Sequence, residues 1–130
     1  MSQKNVELVR AAFAQFASGD FSSLADYPDD FEFVTDPAMP DAGTYRGEAA
    51  RRWTTAWVES FDQLTMQATE IVDAGDKVVV TLLQRGRPHG SQGVVEGLWW
   101  QVLTFRQGEL ARSELFAERA TALKAAGLAE

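Results

Sequence analysis

Val6, Val9, Phe13 and Phe16 recur at helical spacing near the start of the chain, with Arg10 and Gln15 elsewhere on the wheel, which predicts an amphipathic helix. Gly19 is placed to end that helix in a left-handed conformation, and Asp20 to cap a short second helix through Leu24. Asp26 to Asp30 reads as a turn and Phe31 to Thr35 as a short strand. The stretch from Asp36 to Thr44, with two prolines and a glycine, reads as an irregular loop. From about Gly47 to Ser60 the helical pattern returns. Trp53, Trp57 and Phe61 stand at successive four-residue steps and form an aromatic ridge on one face.

The period then changes from helix to strand. Leu64 to Val72 and the Val-rich Lys77 to Arg85 are two strands joined by the turn Asp73-Ala74-Gly75-Asp76. Gly86 to Gly93 is a Gly/Pro hairpin tip, Val94 to Phe105 a long strand, Arg106-Gln107-Gly108 a turn, and Leu110 to Ala117 a last strand. A closing helix runs from about Glu118 to Ala126, and Gly127 followed by Leu128 suits a Schellman-type stop. This order, helices before a four-stranded meander, predicts a single α+β domain with helices on one face of an antiparallel sheet. The long strand has two apolar faces, Val95, Trp99, Leu103 and Phe105 on one, Leu98, Trp100 and Val102 on the other. A sheet with one wet face would alternate more cleanly. The second face is therefore expected to meet another copy of the chain, giving a homodimer through the outer sheet face.

Composition narrows the chemistry. A chain of 130 residues supports one core without staples. Cysteine is absent, which excludes disulfides, thiolate metal sites and Cys nucleophiles, and a single His excludes a multi-His metal site. The formal charge is −7, with twelve Lys and Arg scattered among nineteen acids, so no basic stripe exists for nucleic acid or an anionic membrane surface. No signal-peptide block and no apolar run of bilayer length is present, and the expected location is cytoplasmic. No phosphate-binding glycine fingerprint follows any strand.

Segments covering nearly the whole chain look like a known family: ASGDFSSLADYPDDFEF, DPAMPDAGTYRGEAARRW, VDAGDKVVVTLLQRGR, WWQVLTFRQGELARSELF and the tail ERATALKAAGL. Within them GD, GTYRG and FRQG are short turn signatures, and the order and spacing of the segments are the specific part. Together they resemble the nuclear transport factor 2-like superfamily in its SnoaL-like and ketosteroid isomerase-like branch. The resemblance implies a curved sheet wrapped around a conical cavity closed by the N-terminal helices, with a short C-terminal helix. Members are usually dimeric and include isomerases, polyketide cyclases, dehydratases, epoxide hydrolases and non-catalytic binders. It also implies that Asp36, before Pro37, stands where the steroid isomerases carry their general base. Their helix-one Tyr is matched by Ala12, and their strand Asp by Gln101. The same alignment places Trp99, Gln101, Leu103 and Phe105 on the concave face, beside Ser113 and Leu115.

Two readings of Asp36 stand side by side. At the mouth of an apolar cavity its pKa would rise and suit proton abstraction next to a carbonyl; in a proline loop it is an Asx-turn residue. Gln101 among Trp99 and Leu103 is an odd place for an amide, and it either orients a ligand carbonyl or satisfies Ser113. Trp53 and Trp57 either wall a flat ligand or simply pack the core. His89, between Pro88 and Gly90, is expected as an exposed loop residue. Three functions follow. A cofactor-free isomerase, cyclase or dehydratase would use Asp36 and Gln101, with Trp53, Trp57, Trp99, Leu103, Ser113 and Leu115 shaping a pocket for a small apolar molecule. A binder would use the same cavity without turnover. A scaffold would have no cavity.

Overall fold

The computed structural model describes residues 2–39 and 41–128. Helix α1, Ser2–Ala17, is followed by a short 3-10 helix, Ser22–Asp26, and strands β1, Glu32–Val34, and β2, Thr44–Arg46. Helix α2, Glu48–Glu59, leads into four long strands: β3, Phe61–Ala74; β4, Lys77–Pro88; β5, Val95–Arg106; and β6, Glu109–Phe116. Helix α3, Arg119–Ala125, follows them. Gly19 takes φ +88° behind α1, as expected. Asp20 does not take the expected capping position, since the 3-10 helix has Phe21 as its N-cap and no side-chain cap. Its Oδ1 instead accepts from the Ser22 hydroxyl and amide, and those two bonds lower its carboxyl pKa. At the end of α3, Leu128 N–H donates to the Leu123 carbonyl at 2.8 Å, the expected Schellman closure.

The six strands form one open sheet in the order β2-β1-β6-β5-β4-β3. The meander β3-β4-β5-β6 is antiparallel, as its pattern predicts, but β1 lies parallel to β6, with Phe33 opposite Ser113. Register shifts interrupt β3 between Asp62 and Thr65 and again between Ala68 and Glu70, and the β5–β6 pair between Thr104 and Phe105. Such bulges bend and twist a sheet, which is what curves this one around its inner face.

The inner face carries Val78, Val80, Leu82, Leu103 and Phe105, buried against Val9 and Phe13 of α1. Helix α2 closes the open end through Ala50 and Trp53, which join Phe31, Phe33 and Leu115 in a second cluster. Helix α3 departs from the expectation of helices on one face. Ala122, Leu123 and Ala126 pack on Val79 and Val102, with Trp100 and Phe116 alongside, and these are outer-face positions. The second apolar face of β5 is thus met first by the chain's own last helix. Leu98, 49% exposed, is what it leaves uncovered on that strand. Among the described residues no helix is long and apolar enough to cross a membrane.

Candidate functional site

The tryptophan ridge of α2 faces inward as its spacing requires. Trp53 and Trp57 stack with centroids 5.7 Å apart and planes 7° from parallel, and Phe61 meets Trp57 edge-on. Arg51 anchors this helix by donating to the Tyr27 carbonyl at 2.5 Å and pairing with Asp29. Between ridge and sheet lies a chamber of about 60 Å³. Its walls include Trp53, Trp57, Trp99, Gln84, Gln101 and Leu115. A second compartment, about 210 Å³, lies beneath α1, bounded by Ala12, Ser23, Leu103 and Phe105 among others. Phe13, Phe16, Tyr27 and Gln101 wall both. Most of the cone is filled by its own aromatic rings, and what remains is well below the several hundred Å³ of a drug-sized site.

The expected residues distribute unevenly over this space. Trp53, Trp57, Trp99, Gln101 and Leu115 line the chamber, and Leu103 lines the second compartment. Ser113 lines neither; it is 1% exposed and its Oγ accepts from Gln101 Nε2 at 3.1 Å. Asp36 lies outside both as well. Its Oδ1 accepts from the Ala38 amide at 2.8 Å, the Asx-turn geometry, and its Oδ2 from the Ala117 amide at 2.9 Å. Each carboxylate oxygen is therefore held by main chain, tying the loop after β1 to the end of β6. His89 is exposed, with Nδ1 2.9 Å from Asp62 Oδ1. Arg85 and Glu96 pair at 2.7 Å directly across β4 and β5, in solvent.

Tyr27 and Gln84 are among the chamber residues that the sequence pattern does not single out. Tyr27 lies in a turn segment, yet its ring stacks on Phe31 with centroids 4.0 Å apart and its burial pushes the phenol pKa up. Gln84 is 6% exposed, and its Oε1 accepts from Trp57 Nε1 at 2.7 Å. The signal for Gln84 was the one that exposed Gln101, an amide in phase with Val80 and Leu82 on the apolar face of a strand. Among the described residues, no side chain in either compartment is an acid, a base or an imidazole, and Tyr27 is the one ionisable group in the walls.

The Tyr27 shift has a measurable sign. The folded protein holds the phenolic proton more tightly than the unfolded chain, whose tyrosine titrates near 10.0. This group's contribution to stability is therefore intact below that pH and lost as the pH rises above it. Urea unfolding between pH 8 and 11 should show a steeper alkaline fall for the native sequence than for Tyr27→Phe. Parallel curves would contradict the burial of this hydroxyl.

A search of curated proteins finds no match. Among solved structures, the chain is similar to TerC co-crystallised with polyporic acid, at 21% identity and a TM-score of 0.71 over 95% of this chain and 98% of that one. It is similar also to a protein of ketosteroid isomerase-like fold from Catenulispora acidiphila in complex with trimethylamine, at 19% identity and TM-score 0.71, covering 94% and 93% of the two chains. A nuclear transport factor 2-like protein from Burkholderia xenovorans matches at 24% identity and TM-score 0.65, over 97% and 98%. At these identities the likeness is one of fold. The model of the SnoaL-like domain matches residues 9–113, from the first helix to the last strand. The chain belongs to the SnoaL-like domain family.

Proposed function

We propose that this protein binds a small, uncharged, ring-sized molecule between the helices and the sheet, across the chamber and the compartment that shares Phe13, Phe16, Tyr27 and Gln101 with it, without turnover. The chamber alone, at about 60 Å³, is smaller than the roughly 150 Å³ cavity that takes benzene, so the guest extends into both spaces. The observation that carries the reading is the wall itself. Eight of its sixteen described residues are aromatic, and none of these sixteen is a carboxylate, an amine or an imidazole. Aromatic faces offer large, rigid contact area to a flat apolar guest, and a charged guest would find no counter-charge there. Catalysis of proton transfer next to a carbonyl would need a base within hydrogen-bond reach of the substrate. Asp36 lines neither space, and each of its oxygens accepts from a main-chain amide.

The test separates the two functions. Toluene, titrated against tryptophan emission, should saturate a single site and raise the melting temperature. Acetophenone incubated with the protein in D₂O should gain methyl deuterium no faster than in buffer. Accelerated exchange that disappears in Asp36→Asn would replace the binder by an isomerase-type enzyme using that carboxylate. Absence of any saturable binding would remove the chamber as a ligand site.

We further propose a homodimer through the outer sheet face, beside α3. Leu98 lies half-exposed there, on the face that carries Trp100 and Val102. Nearby, the buried Trp100 Nε1 has no acceptor among the described residues. Light scattering at micromolar concentration should give twice the 14.3 kDa chain mass, and Leu98→Glu should return the single-chain value. A monomeric native protein would remove this interface.

A further inference from the structure

The two chamber amides are not equivalent. Ser113 Oγ can donate or accept, so the Gln101 amide it touches is free to present either end. An indole N–H only donates, so the atom of Gln84 that faces Trp57 Nε1 at 2.7 Å must be the carbonyl oxygen. The Gln84 Nε2 is thereby turned away from Trp57. It has no acceptor among the described residues, although the side chain is 94% buried by the 6% exposure of its residue. Nor is it sealed in protein, because the sealed polar atoms lacking partners are Asn5 Oδ1 and Trp100 Nε1. The open space against Gln84 is the chamber. Opposite Gln84 on β5 stands Gly97, where an added Cβ would come within 3.1 Å of Trp99 Nε1, so this end of the chamber is kept clear by the lack of a side chain.

We propose that Gln84, oriented by Trp57, makes the chamber selective for ring compounds bearing a carbonyl oxygen. This rests on the chamber being a ligand site. With Oε1 held by Trp57, Gln84 turns the donor end of its amide to the chamber, and a ketone offers acceptors only. A hydrocarbon of the same shape would displace water from Gln84 and give nothing back. Trp57 is then a positioning residue, acting on the ligand through the amide it holds.

The experiment compares acetophenone with α-methylstyrene, in which a CH₂ replaces the oxygen, by titration of the native protein and of Gln84→Met and Trp57→Phe. The native protein should prefer the ketone about tenfold, the scale of one hydrogen bond to a buried donor. Gln84→Met should bring the ratio to about one, whatever the absolute affinity of the variant. Trp57→Phe, which keeps a ring but frees the amide to turn, should lower the ratio. The carbonyl ¹³C resonance of bound acetophenone should move downfield in the native protein, a signature that does not depend on any variant folding. Equal affinities in the native protein, a ratio that survives Gln84→Met, or a ¹³C shift equal to that in hydrocarbon solvent each overturn the assignment while leaving the chamber reading intact. Failure of both probes to bind overturns both.

Discussion

Gly47→Ala should destabilise the fold by about 3–4 kcal/mol, enough to lower the melting temperature by more than about 10 °C. Gly47 precedes α2 with φ +55° and ψ −118°, a conformation open in practice to glycine. Space forbids a side chain there as firmly as conformation does. A Cβ would stand 2.4 Å from the Asp29 carbonyl oxygen and 3.1 Å from its carbon. Both are main-chain atoms and cannot swing aside. The Gly47 amide meanwhile donates to the Phe31 carbonyl at 2.8 Å, so relief by moving the chain would break the bond that seats α2. Gly75→Ala is the control. It has φ +81° and nothing within 4 Å, and should cost only the left-handed penalty, about 1–2 kcal/mol. Equal losses for the two variants would show that the clash at Gly47 is relieved cheaply.

Phe31→Ala should cost about 3–5 kcal/mol in urea unfolding. Its side chain is fully buried, stacked on Tyr27 and packed with Phe33, Ala50 and Leu115. Those neighbours come from the segment before β1 and from β1, α2 and β6. No single element can slide in to fill the void, so the cavity cost adds to the lost transfer energy. A loss near 1 kcal/mol would mean that Tyr27 collapses into the gap. Saturable binding of toluene at a new site would show instead that the void stays open.

What the sequence made legible follows from how local each signal is. The wheel of α1, the Trp53–Trp57–Phe61 ridge, the turns at Gly75 and Gly108, and the alternation in β4 and β5 all act within a few residues. The structure holds each of them. Gln101 was findable because an amide breaks an apolar face. Gln84 breaks one in the same way, within a strand where Val78, Val79 and Val80 are all buried and blur the alternation. Strand β2 has three residues and exists because β1 lies beside it, so no local pattern marks it. The parallel pairing of β1 with β6, and the placement of α3 on the outer face, depend on partners distant in sequence. Asp36 shows the same limit. Its Asx turn is local and was one of the two readings, but the Ala117 amide that takes its second oxygen lies 81 residues away.

The seam between β1 and β6 joins Glu32 to Arg112, eighty positions apart, through an ion pair as well as the ladder. Closing so large a loop costs chain entropy before any contact rewards it, and such topologies fold in milliseconds to seconds rather than microseconds. The meander can zip hairpin by hairpin, while β1, Phe31 and the roof helix await β6. During synthesis the inner hollow therefore has no far wall until β6 has emerged, and until then its aromatic lining faces water.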